Sequence, residues 1–139
     1  MNARRKGFTI VEVLVVVVIL GLLSVFIVPS VFKKLGKAKS GIAKSQVALI
    51  GGAIEQFAID CGRLPTDDEG LEALLVAPAD LEDKWGPKYL KASQIIDPWG
   101  RPYIYVSEGT INVGSYDLIS LGADGEEEGE GDNKDIYND

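Results

Sequence analysis

The sequence contains no histidine, one cysteine and one methionine. Without histidine there is no Ser-His-Asp or Cys-His catalytic arrangement, and the usual zinc sites are excluded. With Cys61 alone, no disulfide can form within the chain. A small domain in an oxidising compartment then needs some other staple for its core. Cys61 itself reads as a small packed residue at a helix end. No basic patch interleaved with aromatics occurs, which argues against nucleic acid as a partner. No glycine-rich phosphate-binding loop occurs either, so the chain cannot itself draw on ATP.

The 139 residues leave room for one small domain plus an extension. The formal net charge of -7 is unevenly spread. Arg4, Arg5 and Lys6 open the chain without an acid, whereas Asp124, Glu126, Glu127, Glu128, Glu130, Asp132, Asp135 and Asp139 face only Lys134 near the end. A basic start and an acidic end suit two different surroundings.

From Phe8 to Val28 runs an apolar stretch of 21 residues. As a helix it spans roughly 30 Å, the thickness of a bilayer's hydrocarbon core. The basic residues ahead of it predict a cytoplasmic N-terminus and an exported remainder. The sequence VPSVFKKLGKAKS that follows is a poor small-residue cleavage site, so the segment is expected to stay attached. Glu12 is out of place in it. An ionisable group in a span costs about 2 to 4 kcal/mol, less near an end where it can snorkel. Two readings stand open: a tolerated carboxylate near the interface, or one that meets a cation at the same depth. No Lys or Arg lies in the run, so that cation would have to be a free α-amino group made by cutting before Phe8.

The string Gly7-Phe8-Thr9-Ile10-Val11-Glu12, with basic residues before it and an apolar helix after it, resembles the class III signal of type IV pilins and type II secretion pseudopilins. The resemblance implies that a membrane-embedded prepilin peptidase cuts between Gly7 and Phe8 and methylates Phe8. It also implies that Glu12, the fifth mature residue, pairs with the N-terminal amine of a neighbouring subunit. Gly21 and Pro29 fall where that family carries a helix glycine and a kinking proline.

Beyond the span, Ala43, Val47, Ile50, Ile54 and Phe57 recur at steps of four and three, one face of a helix with Lys44, Ser45, Glu55 and Gln56 opposite. A helix from Phe8 to about Asp60 would be roughly 80 Å long. Pro29 should bend or locally open it. Gly62 and Pro65 signal its end. Thr66 to Glu69 matches a capping box that opens a short helix through Leu71, Leu74 and Leu75. Residues 77–88 read as a loop. Strands are expected near Tyr89 to Ile95, from Tyr103 to Val106 and from Ser115 to Ser120, with turns at DPWGRP and SEGTIN.

Seven acids between Asp124 and Asp135, broken by glycines, repel one another. The stretch is either a solvated tail or a loop for a hard cation such as calcium, which takes six to eight oxygens. Counting Asp124 as first places Glu126, Glu128, Gly129, Asp132 and Asp135 at the third, fifth, sixth, ninth and twelfth positions of an EF-hand-like loop. Glutamates replace the short ligands of that motif, which argues against a true EF-hand.

Leu64-Pro65-Thr66 with Glu69-Gly70-Leu71-Glu72-Ala73-Leu74, Asp97-Pro98-Trp99-Gly100 with Tyr103, Tyr116-Asp117-Leu118, Ser120-Leu121-Gly122-Ala123-Asp124-Gly125 and Asp135-Ile136 together resemble the major pseudopilin family of type II secretion, over nearly the whole chain. This implies an α+β, type IV pilin-like fold: a basic leader (residues 1–7), a transmembrane and filament-core half of a long helix (8–32), its amphipathic second half (33–60), and a periplasmic globular region (61–139) with a small antiparallel sheet. It further implies a calcium ion stapling the acidic loop 121–135, held by Asp124 and Asp135, the Leu121 and Glu126 carbonyls, and Asp132. The expected protein is a structural subunit and not an enzyme. It would sit in the inner membrane as a single pass and polymerise into a periplasmic filament with itself and minor pseudopilins, served by the prepilin peptidase and the inner-membrane secretion platform. A type IV pilin for adhesion or motility, and a membrane-anchored calcium-binding module that never polymerises, are the alternatives.

Overall fold

The computed structural model describes residues 7–138; the leader residues Arg4, Arg5 and Lys6 lie outside the described residues, as does Asp139. Two compact units divide the chain, Met1–Leu35 and Gly36–Asp139. Helix α1, Ile10–Cys61, belongs to both.

In the first unit α1 has an 18-residue window of mean hydropathy 3.1, none of it buried within the protein. Such a surface demands lipid or other protein, since water would have to cover it. A bend or a local opening was expected at Pro29; the helix runs through it without opening. The ring removes one donor, and the remaining ladder carries the helix across the missing bond. Ser24 and Ser30 return their hydroxyls to the Leu20 and Ile27 carbonyls at 2.7 and 2.8 Å, so neither leaves a polar atom toward the apolar surroundings.

In the second unit the expected stripe is the face that packs. Ala43, Val47, Ile50, Ile54, Phe57 and Cys61 are buried against Leu74, Leu90, Tyr103, Tyr116, Leu118 and Ile136. Each large apolar side chain removed from water contributes about 1.5–3 kcal/mol. Phe57 and Trp85 both meet Tyr89 edge-on, with centroids at 5.8 and 5.4 Å. Burial and the hydrogen bond to Asp60 push the Tyr89 phenol up to about 12. The helix ends at Gly62 (φ 79°), whose N–H donates to the Ala58 carbonyl at 2.9 Å, the left-handed stop that glycine permits.

The Thr66–Glu69 capping box forms reciprocally, at 2.9 and 3.3 Å, and leads into a 3-10 turn, Gly70–Leu74. Glu69 is also held by Arg63 at 2.7 Å, and that partner first of all lowers its carboxyl to about 2. The sheet is antiparallel with order β1-β2-β3: β1 is Ile104–Val106, β2 Asp117–Ser120 and β3 Ile136–Tyr137. Tyr105 faces Leu118, and Ser120 faces Ile136.

One expected strand is absent from the described residues. Between Tyr89 and Ile95 the chain instead makes a 3-10 turn, Ala92–Ile95, because Gln94 Oε1 accepts the Lys91 N–H at 2.7 Å and closes the backbone on itself. The third strand is supplied by Ile136–Tyr137, which no periodicity announced because it is two residues long.

Candidate functional site

Two regions carry the residues singled out by sequence: the head of α1 and the acidic loop. At the head, Gly7, Phe8 and Thr9 precede the helix in exposed, non-helical chain. Phe8 is 82% exposed. The Gly7–Phe8 bond is therefore presented without any helix to unwind. Glu12 lies one turn further on. Its carboxylate accepts the Thr9 N–H at 3.2 Å and the Thr9 hydroxyl at 3.3 Å, while the Glu12 N–H donates to Thr9 Oγ1 at 3.2 Å. This is a capping box with Thr9 as N-cap, and it places a negative charge on the positive end of the helix. The Thr-x-x-Glu spacing is the local sequence signal for this box, and it makes Thr9 the partner of Glu12 within the chain.

The acidic loop starts where β2 ends. Asp135 is buried: its Oδ2 accepts the Glu128 N–H at 3.0 Å and the Tyr137 hydroxyl at 2.9 Å, whereas Oδ1 is buried without a partner. Asp124 is exposed, and its Oδ1 accepts the Glu126 N–H at 3.2 Å. The Leu121 carbonyl accepts the Gly125 N–H at 3.2 Å. Asp132 sets its carboxylate against Gly36 of α1, in the space a Cβ there would occupy. Glu126 is exposed. Among the described residues, no three acidic side chains gather closely enough to share an ion. Asp135 and Asp132 belong to the packed structure, while Asp124 and Glu126 face outward.

Two further carboxylates, buried and outside the expected site, organise the backbone. Asp97 Oδ1 accepts the N–H groups of Trp99 and Arg101, and its Oδ2 accepts the Ser120 hydroxyl at 2.8 Å, fixing the DPWGR turn to the end of β2. Asp117 accepts the N–H groups of Thr110, Ile111 and Asn112 at 2.7, 2.9 and 2.8 Å. Burial acts to raise its pKa, but these donors outweigh it and leave the carboxyl below its ordinary value. Arg101 was also missed. Its Nη2 donates to the Gly122 carbonyl, from beneath the acidic loop.

A long apolar helix with a capped, carboxylate-bearing head, running into a small antiparallel sheet with an acidic closing loop, defines the type IV pilin-like class. Within it, the family described as type II secretion system protein G matches residues 30–139, and the prokaryotic N-terminal methylation motif matches residues 2–28. The chain belongs to the type II secretion system protein G family, the major pseudopilins. It is 41% identical to the type II secretion system core protein G of Pseudomonas aeruginosa over 97% of this chain and 95% of that one. It is 40% identical to the core protein G of Vibrio cholerae over 97% of this chain and 92% of that one. The crystal structure of the major pseudopilin from the type 2 secretion system of enterohaemorrhagic Escherichia coli is similar with a TM-score of 0.58 and 27% identity, covering 73% of this chain and 87% of that one.

Proposed function

We propose that the chain, once cut between Gly7 and Phe8 and methylated at Phe8, polymerises into the periplasmic pseudopilus that drives folded proteins across the outer membrane. Before assembly it is a single-pass inner-membrane protein with a cytoplasmic N-terminus. Its partners are further copies of itself, minor pseudopilins, the prepilin peptidase and the inner-membrane platform. It acts as a structural subunit and not as an enzyme; Asp97 and Asp117 spend their oxygens on backbone N–H groups and a hydroxyl.

The observation that carries this reading is Glu12, one turn beyond an exposed Gly7–Phe8 bond, at the head of a helix that buries none of its apolar window. Cutting there creates an amine one residue before the N-cap. A neighbouring copy's amine then gives the carboxylate a charged partner stronger than a hydroxyl and a single N–H. The test is Glu12→Leu. The variant should insert and be processed normally but yield few filaments on quantitative immunoblot of sheared fibres. Normal filament yield would refute the pairing role and favour a non-polymerising anchored module.

We also propose calcium as the staple of residues 121–135. The orphaned, buried Asp135 Oδ1 supports a cation there, and the loop is rich in carboxylate oxygens, the ligands a hard cation takes. Asp135 would hold the ion, and Asp124, Asp132 and the Leu121 and Glu126 carbonyls, which do not gather around it here, would have to close on it as further ligands. The ion would supply positive charge to a loop whose acids otherwise repel one another.

A further inference from the structure

The turn from Asp97 to Arg101 is tied at both ends. The Asp97 N–H donates to the Arg101 carbonyl at 2.7 Å, and Asp97 Oδ1 accepts the Arg101 N–H at 2.8 Å. Asp97 Oδ2 binds Ser120, the residue immediately before the acidic loop, so Arg101 projects from a base fixed to the loop's own root. Its guanidinium lies against the first turn of that loop. Nη2 donates to the Gly122 carbonyl, and a Cβ added at Gly125 would come within 2.8 Å of Cζ. Gly125 also has φ 76°, so this close approach requires glycine on two counts. The Arg101 Nε is buried without an acceptor. Among the described residues, the guanidinium makes no ion pair.

A half-buried guanidinium with one unsatisfied N–H is an expensive way to bind one carbonyl. What it supplies beyond the hydrogen bond is charge, placed at the Gly122–Gly125 turn that opens the acidic stretch. We propose that Arg101 is a built-in counter-cation of the acidic loop. It holds the Gly122–Gly125 turn when no metal is bound, and its charge weakens the loop's affinity for calcium. The second effect rests on the calcium reading above; the first does not.

The two effects have opposite signs on removing the charge, which separates them from a merely structural role. Full-length protein in detergent micelles would be melted without metal and titrated with calcium chloride by calorimetry. Arg101→Gln should melt about 5 °C lower in chelator, since a buried hydrogen bond and a counter-charge are lost. The same variant should bind calcium about tenfold more tightly, as a single charge acts strongly on a divalent ion. Arg101→Lys keeps the charge and loses the fork, so its metal-free melt should fall while its calcium affinity stays within about twofold of the parent. If Arg101→Gln binds calcium more weakly or equally, the guanidinium is only a strut and the electrostatic role is refuted. If it melts like the parent in chelator, the counter-cation role is refuted as well. A parent chain that takes up no calcium overturns the calcium reading alone, and the metal-free melts still decide the first effect.

Discussion

Replacing Asp117 by asparagine should destabilise the sheet unit far more than an isosteric change on a surface would. Asp117 is 1% exposed, and its two oxygens accept three N–H groups and, at 3.3 Å, the Thr110 hydroxyl. An asparagine can keep one acceptor. With its oxygen toward Thr110 and Ile111, its NH2 must face the Asn112 N–H, donor against donor. Leaving that buried donor unpaired costs about 1–3 kcal/mol, and turning two charge-assisted bonds into neutral ones costs roughly 1 kcal/mol each. The sum, about 3–5 kcal/mol, is a large fraction of the stability of such a unit. It corresponds to a drop of roughly 15 °C in Tm. Thermal melts at neutral pH read it directly. The pH dependence checks the mechanism. The folded carboxyl lies below its ordinary value, so its contribution is complete at neutral pH and is lost as the pH falls below about 4. The gap between parent and variant should therefore narrow at acid pH. A variant within about 1 kcal/mol of the parent at pH 7, or a gap that stays constant down to pH 3, would refute the account.

Three other outcomes are expected. Chelating calcium should lower the parent's Tm by the equivalent of about 2.7 kcal/mol when the ion is present at roughly a hundred times its dissociation constant, and should open the loop to protease; an unchanged melt in excess chelator would sink the site. Glu69 titrates near 2 in the fold, so its pairing with Arg63 and the Thr66 N–H stabilises fully above the unfolded value of 4.5 and fades as pH falls from there toward 2. Glu69→Gln should abolish that part of the acid sensitivity, and an identical acid melt would count against it. Gly36→Ala should destabilise the unit despite alanine's better helix propensity of about 1 kcal/mol, because its Cβ overlaps the Asp132 carboxylate. A stabilised variant would show that the contact is unimportant.

Local patterns made much of this protein legible. The stripe Ala43, Val47, Ile50, Ile54 and Phe57 is buried because a helix's period places those side chains on one face. The Thr66–Glu69 box and the Gly62 stop formed because each is decided within a few residues. The stretch Tyr89 to Ile95 misled, since β-compatible residues say nothing of whether a partner strand is available, and Gln94 closed the backbone first. The Thr9–Glu12 box is equally local, but it lies inside an apolar run, where composition points to the bilayer and not to a helix cap.

The order of residues by itself determined the N-terminal methylation motif, the apolar run long enough to cross a bilayer, the helix face that packs and the density of acid in residues 124–135. All of these depend on composition or on short spacings along the chain. Only the tertiary structure decided where the acids go. Asp135 is buried at the root of β3, Asp132 lies against Gly36, and Asp117 gathers the N–H groups of a loop that precedes it in sequence. Arg101 meets Gly122 across 21 positions because Asp97 ties its turn to β2. Such contacts join segments distant in sequence, and their energies depend on burial and direction, which no spacing along a chain encodes.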